Sequence, residues 1–111
     1  MTTLIACLVS ACGLSQAEAA DYLDARLDTV KSWTSGRRNA PQGAIDELGA
    51  LYRAIEARAA AIMAGTASAS TISLPAWSND VRKTQGVPCA GAWGVVIAIV
   101  AARSDKPVSV Y

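Results

Sequence analysis

The sequence predicts a mainly α-helical protein in which a bundle of four to five helices precedes a small C-terminal α+β region. Three observations favour this class. Apolar residues recur at helical spacing through the first 64 residues, helix start and stop signals separate these segments, and short β-type runs occur only after residue 71. A chain of 111 residues buries a modest surface on folding, so self-association is a reasonable expectation.

Two short helices are predicted before residue 24. Residues 3–12 carry apolar side chains at helical spacing, and Gly13 suits the left-handed position that ends many helices. The second helix begins at Ser15, because Glu18 three residues later completes a capping box in which each side chain satisfies the other's backbone N–H. Leu23 is expected in the core.

A third helix is predicted over the sequence LDTVKSWTS, and Gly36 ends it. Val30 and Trp33 lie three residues apart, which places both on one face. We expect this face to be the inner one, with the Trp33 indole in the core. Four polar residues are expected to face away from it: Asp28, Lys31, Ser32 and Ser35.

A long fourth helix is predicted from residue 42 to residue 64. Its apolar residues follow a heptad-like spacing of three and four, at Ile45, Leu48, Tyr52, Ile55, Ala59 and Ile62. The pattern leaves open whether this face packs inside its own chain or against another copy.

The composition changes after residue 64. Residues 65–75 are predicted as a linker that separates an N-terminal domain, residues 1–64, from a C-terminal dimerisation region, residues 76–111. ISLPAW and PVSVY are compatible with strands, and SNDVRKT with a short helix opened by Ser78 or Asn79. Residues 89–104 are compatible with helix or strand, and helix is preferred for the length and the alanines.

Composition excludes many enzyme classes. The chain has no histidine, which removes imidazole acid–base chemistry, Ser-His and Cys-His pairs and most catalytic zinc sites. Its three cysteines form no Cys-x-x-Cys pair, so they are expected to be buried small hydrophobes in a reducing cytoplasm. We therefore predict a non-enzyme without catalytic residues, metal or cofactor and with no evident small-molecule ligand.

The N-terminal run MTTLIACLVSAC ends like a lipoprotein cleavage site, but no Lys or Arg precedes it. The run AWGVVIAIVAA is shorter than the roughly 20 residues that span a bilayer. The expectation from both runs is a cytoplasmic protein without a membrane partner.

The segment 14–41, LSQAEAADYLDARLDTVKSWTSGRRNAP, resembles the helix-turn-helix DNA-binding domain of the Cro and phage-repressor family. Gln16 opens the first helix of the motif and Ala20 lies where the two helices cross. Asp24 stands where the family usually has a glycine in the turn, and aspartate tolerates positive φ better than most residues. The resemblance implies a second helix that lies in the major groove.

The residues expected to read bases lie on the exposed side or at the N-terminus of this second helix: Arg26, Leu27, Asp28, Lys31 and Ser32. Arg26 is suited to bidentate reading of guanine, and Leu27 to contact with a thymine methyl group. Asp28 either accepts from cytosine N4 or orients Arg26.

Phosphate contacts are expected from Gln16, Ser35, Arg37 and Arg38, since helix starts and flexible cations bind the DNA backbone. Residues 26–38 contain four basic residues and one acidic residue, a local charge of +3 in a chain whose total is +1. This concentration is typical of a DNA-binding surface.

One such motif contacts too few phosphates to select a genomic site, so we expect a homodimer on double-stranded DNA with palindromic half-sites. Either residues 42–64 or residues 76–111 supply the dimer interface. The overall layout is also similar to small anti-CRISPR-associated repressors, which implies autorepression of a phage or defence-related operon.

Two other classes remain open. An antitoxin would keep the helix-turn-helix and bind a toxin through its C-terminal half. A pure protein-interaction module would lack the salt-dependent DNA association expected of a regulator.

Overall fold

The structure, a computed structural model, describes residues 3–111; Met1 and Thr2, the first residues of the predicted domain 1–64, lie outside the described residues. Over this range it contains six helices and two strands. They are α1 Leu4–Ala11, α2 Gln16–Leu23, α3 Leu27–Thr34, α4 Gln42–Gly65, β1 Ile72–Leu74, α5 Asn79–Gln85, α6 Ala90–Arg103 and β2 Val108–Val110. The prediction of a mainly helical chain with a small β component is confirmed.

The chain forms two compact units that divide inside α4, one ending at Arg53 and the other beginning at Ala54. Sequence composition had suggested a boundary after residue 64, where the small polar residues begin. A long amphipathic helix can bury its two halves in different cores without any change in composition.

In the N-terminal unit, the residues predicted to end α1 and to begin α2 adopt the expected conformations. Gly13 follows α1 with a φ of 73°. At the start of α2, the Ser15 hydroxyl accepts from the Glu18 N–H at 3.1 Å, and Glu18 Oε1 accepts from the Ser15 N–H at 2.9 Å. The predicted capping box is thus confirmed.

The core of the N-terminal unit forms where α3 packs against α1 and α2. Its buried apolar residues are Ile5, Val9, Cys12, Leu14, Ala19, Ala20, Val30, Ala44, Leu48 and Leu51. Trp33 and Leu23 were predicted in this core, but both are only half-buried. The Trp33 indole lines an open cleft beside Ile5 and Ile45, so the side chains of the described residues do not enclose it.

The cysteines also differ from expectation, because only Cys12 is buried. Its thiol donates to the Leu48 carbonyl at 3.5 Å. Cys7 is exposed, since it lies on the outer side of α1, and Cys89 is partly exposed at the residue before α6. Spacing alone did not indicate which side of these helices would be covered.

The buried stripe of α4 differs from the predicted one by one position in its first half. Ala44 and Leu51 are buried, whereas Ile45 and Tyr52 are only half-buried. Leu48, Ile55, Ala59 and Ile62 are buried as the spacing predicted. All of these residues are covered within a single chain, so the apolar stripe of α4 packs against its own chain.

In the C-terminal unit, β1 and β2 pair in parallel, with Ile72 opposite Val108 and Leu74 opposite Val110. A parallel pair needs a long crossover, which α5 and α6 provide. The helix preferred for residues 89–104 is confirmed, as are the terminal strand and the Ser78 cap of α5. The strand predicted in ISLPAW is confirmed at residues 72–74, which form β1 and bury Ile72 and Leu74, so the predicted linker 65–75 is wrong at these three positions.

Trp93 anchors the core of this unit. It is 1% exposed, and its indole N–H donates to the Pro75 carbonyl at 2.8 Å. The other buried apolar residues of this unit are Ile55, Ala59, Ile62, Ile72, Leu74, Val81, Val87, Ala92, Val96 and Val100. Within residues 3–111, no single helix is both long enough and apolar enough to cross a bilayer.

Candidate nucleic-acid interface

The connection between α2 and α3 is a tight turn of three residues. Asp24 adopts the left-handed conformation with φ 52° and ψ 47°, and within residues 3–111 it is the one non-glycine residue with positive φ. The Ala25 N–H donates back to the Ala20 carbonyl at 2.9 Å, which closes the end of α2. The prediction that Asp24 takes the conformation of a turn glycine is confirmed.

The inner side of α3 includes one residue that was predicted to read bases. Val30 is fully buried, as expected, but Ser32 is only 5% exposed. The Ser32 hydroxyl donates to the Thr29 carbonyl at 2.7 Å, and the Ser32 carbonyl accepts from the Arg38 N–H at 3.1 Å. Because the loop after α3 folds back against this side, Ser32 lies under the loop, and its prediction as an exposed base-reading residue is wrong.

The outer side of α3 presents a row of exposed side chains. Leu27, Lys31 and Ser35 are four residues apart and exposed, so they lie along one face, with exposed Asp28 beside Leu27. Arg26 occupies the N-cap position, where its side chain makes no capping hydrogen bond. Its guanidinium is therefore left at the exposed start of this row.

A small hydrogen-bond network fixes the C-terminal end of α3. The Gln16 amide donates to the Thr34 hydroxyl at 2.8 Å, and that hydroxyl donates to the Lys31 carbonyl at 3.2 Å. The Thr3 hydroxyl donates to the Thr34 carbonyl at 3.2 Å. Gln16, which was predicted to contact phosphate, thus holds the end of α3 through one of its amide hydrogens. A primary amide has a second donor hydrogen, which this bond does not use.

Sequence reasoning missed Thr3 and Thr34, because residues 31 positions apart carry no pattern that links them. It also missed Thr29, which lines an open depression of about 390 Å³ with Asp28, Ser32, Arg37 and Arg38. Thr29 joins the two arginines only because the loop returns to α3. No local spacing signal predicts such a return.

Gly36 turns the chain at the end of α3 with a φ of 85°. The loop that follows places Arg37 and Arg38 at the depression described above, and both arginines are exposed. The loop therefore brings both arginines beside Asp28, Thr29 and Ser32 of α3. We call Arg26, Lys31, Arg37 and Arg38 the basic surface.

The described part of the chain does not neutralise the basic surface. Within residues 3–111, none of its four cations forms an ion pair. Asp28 is the single acidic residue between positions 26 and 38. An anionic partner can therefore approach these cations without first displacing a carboxylate.

Tyr22 on α2 lies outside the basic surface. Partial burial raises the pKa of its phenol above the ordinary value of 10.0, and Glu47 and Cys12 act in the same direction. The phenol is therefore neutral at physiological pH. It adds no negative charge to the N-terminal unit.

No protein-family model, no curated protein sequence and no solved structure matches this chain significantly. The basic surface and Gln16 supply guanidinium, ammonium and amide donors around the exposed face of α3.

Proposed function

We propose that this chain is a sequence-specific DNA-binding transcriptional regulator in which α2 and α3 act as a helix-turn-helix and α3 enters the major groove. One observation carries the proposal. The exposed row of Leu27, Lys31 and Ser35 begins beside an uncommitted Arg26, on a helix whose opposite side is anchored by buried Val30. The major groove of B-DNA is wide enough to admit such a helix.

Base reading falls to the first turns of α3. A guanidinium that makes no capping bond can form the bidentate contact with guanine O6 and N7. Leu27, which is 40% exposed, is suited to a thymine methyl group. Asp28 accepts from cytosine N4 or orients Arg26, and Lys31 extends the same face.

Phosphate contacts fall to residues around the ends of the two helices. Arg37 and Arg38 are exposed and unpaired among the described residues, and phosphate groups accept bidentate bonds from guanidinium. Gln16 keeps one amide hydrogen beyond its bond to Thr34. Ser35 donates its hydroxyl to the Ser32 carbonyl at 3.2 Å, so it has to exchange that bond to reach a phosphate.

The proposed regulator acts as a homodimer on a palindromic operator. The surface offered by one α3 contacts only a few bases, and two copies double the number of base and phosphate contacts. The resemblance to phage repressors further suggests that the operator lies upstream of the chain's own gene and that binding represses it.

The test is selection of bound duplexes from a random pool, followed by affinity measurements over a series of salt concentrations. We expect a palindromic consensus and an affinity that falls with salt, with a slope of about −0.9 per phosphate contact. DNA upstream of the gene serves as the second probe. Failure to bind any duplex at roughly 50 mM salt, where electrostatic binding is strong, would overturn the proposal.

A further inference from the structure

The C-terminal strand β2 has one open edge. The Pro107 carbonyl accepts from the Ile72 N–H of β1 at 2.9 Å, and the Tyr111 N–H donates to the Leu74 carbonyl of β1 at 3.0 Å. Because backbone groups alternate in direction along a strand, the N–H and C=O groups of Val108 and Val110 point to the other edge. Within residues 3–111 no third strand pairs there.

The open edge also has no protection by charge. Native proteins usually shield an exposed edge with lysine or other charged side chains, with bulges or with a covering segment. Residues 107–111, PVSVY, contain no charged side chain. Pro107 comes before the outward-facing groups of Val108 and Val110, so it does not block them.

The apolar face of the sheet is covered unevenly. Ile72 and Leu74 of β1 are 1% and 6% exposed. Their partners in register, Val108 and Val110, lie on the same face, but Val108 is half-buried and Val110 is 51% exposed. Coverage of this apolar face therefore ends at β2, next to the open edge.

We propose that a second copy of the chain pairs with β2 in antiparallel orientation about a two-fold axis, which joins the two sheets into one of four strands. Val108 then lies opposite Val110 of the partner subunit and exchanges two backbone hydrogen bonds with it. Both valines gain an apolar neighbour on the partly covered face.

The same strand is complementary to itself in this register. Ser109 falls opposite Ser109 of the partner subunit, at a non-hydrogen-bonded pair where side chains approach closely. Its hydroxyl already lies 3.3 Å from that of Ser73, so the pairing extends a row of serine hydroxyls across the sheet. No like charges face each other, since the strand is uncharged.

The alternative surface, α4, is less suited to join two copies, because its apolar stripe is buried within the chain. Strands of three residues bury less than the roughly 1,200 to 2,000 Å² of a stable specific interface. We therefore expect a weak dimer that forms at high protein concentration. The inference rests on the proposed function only for the expectation that two copies act together.

The test contains no DNA, so its failure is separate from failure of DNA binding. Sedimentation equilibrium, under reducing conditions because Cys7 is exposed, measures the dimer dissociation constant of the full chain. Ser109→Lys and Ser109→Glu each place like charges opposite one another at the two-fold axis, and the exposed position spares the core. Ser68→Lys, at another exposed serine, controls for the added charge, and circular dichroism confirms folding.

We expect the wild type and Ser68→Lys to dimerise, and each Ser109 variant alone to weaken the dimer about tenfold or more. An equimolar mixture of the two Ser109 variants should recover association, because the introduced ammonium and carboxylate then face and attract each other. A wild type that stays monomeric at about 1 mM, a concentration at which even weak association is populated, overturns the inference. So does a dimer that neither Ser109 variant weakens.

Discussion

Two cationic regions of this protein differ in what their charges contact. The basic surface, Arg26, Lys31, Arg37 and Arg38, makes no ion pair within the described chain. Near the C-terminus, Arg103 lies 3.8 Å from Glu56, and Lys106 donates to the carbonyls of Thr66 and Ala67.

The difference teaches that a cation's role depends on its partner more than on its type. The ammonium of Lys106 satisfies carbonyls that follow the last turn of α4, as cations near helix C-termini commonly do. The Lys106 ammonium is therefore already hydrogen-bonded within the folded chain. The cations of the basic surface form no ion pair among residues 3–111, so the fold does not occupy them in this way.

The largest effect is expected for Arg37→Gln combined with Arg38→Gln. Loss of two phosphate contacts should weaken binding to every duplex by roughly 100-fold and reduce the salt slope by about 1.8. The melting temperature should not change, because both side chains are exposed. Fluorescence anisotropy over a salt series measures both quantities.

The matched control is Arg82→Gln combined with Lys83→Gln, which removes the same charge from exposed positions of α5. It should leave DNA affinity almost unchanged. If both double variants lose affinity equally, overall charge rather than the basic surface drives binding.

Arg26→Ala should reduce discrimination at one base position by about 1 to 3 kcal/mol, because a bidentate guanine contact is lost. Arg26→Lys keeps the charge but lacks the planar fork, so it should lose the same preference and keep the salt slope. Competition against base-substituted operators measures discrimination. Equal losses on all sequences would assign Arg26 to phosphate instead.

Lys106→Met should lower the free energy of unfolding by about 1 to 3 kcal/mol, since two carbonyls lose a charged donor while the apolar stem is kept. DNA affinity should not change. The control is Arg103→Met. The side chains of Arg103 and Glu56 are 59% and 37% exposed, and such an exposed ion pair stabilises a protein by less than about 1 kcal/mol. Urea denaturation distinguishes the two, and equal losses would contradict the contrast drawn above.

The smallest effect concerns Tyr22, which lies outside both cationic regions. Because folding raises the pKa of its phenol, the folded state holds this proton more tightly than the unfolded state. The resulting stabilisation is complete below about pH 10 and is lost as the pH rises through the folded pKa. Tyr22→Phe should flatten the fall in stability at alkaline pH, and an unchanged profile would assign the fall to other groups.

Much of the local structure could be predicted, because helix boundaries depend on residues close in sequence. The Ser15 and Glu18 capping box, the left-handed Asp24 and the helix at residues 90–103 are examples. The exposed row of α3 was also predicted from spacing, with Ser32 as the exception.

The remaining features required contacts between distant segments. Ser32 is buried because a loop returns to α3. The parallel pairing of β1 with a strand 36 residues later was likewise not predicted, although the strand itself was. Trp33 is half-buried because it lines a cleft that the described residues 3–111 leave open on one side. Spacing gives the face on which a side chain lies, but not what covers that face.

By itself, the sequence determined the helices, their caps and the concentration of positive charge at residues 26–38, since these depend on neighbouring residues. Only the tertiary structure decided which cations are occupied, which side of α4 is buried and where β2 leaves an open edge. The physical reason is that burial and pairing depend on chain segments far apart in sequence, which meet only when the chain folds.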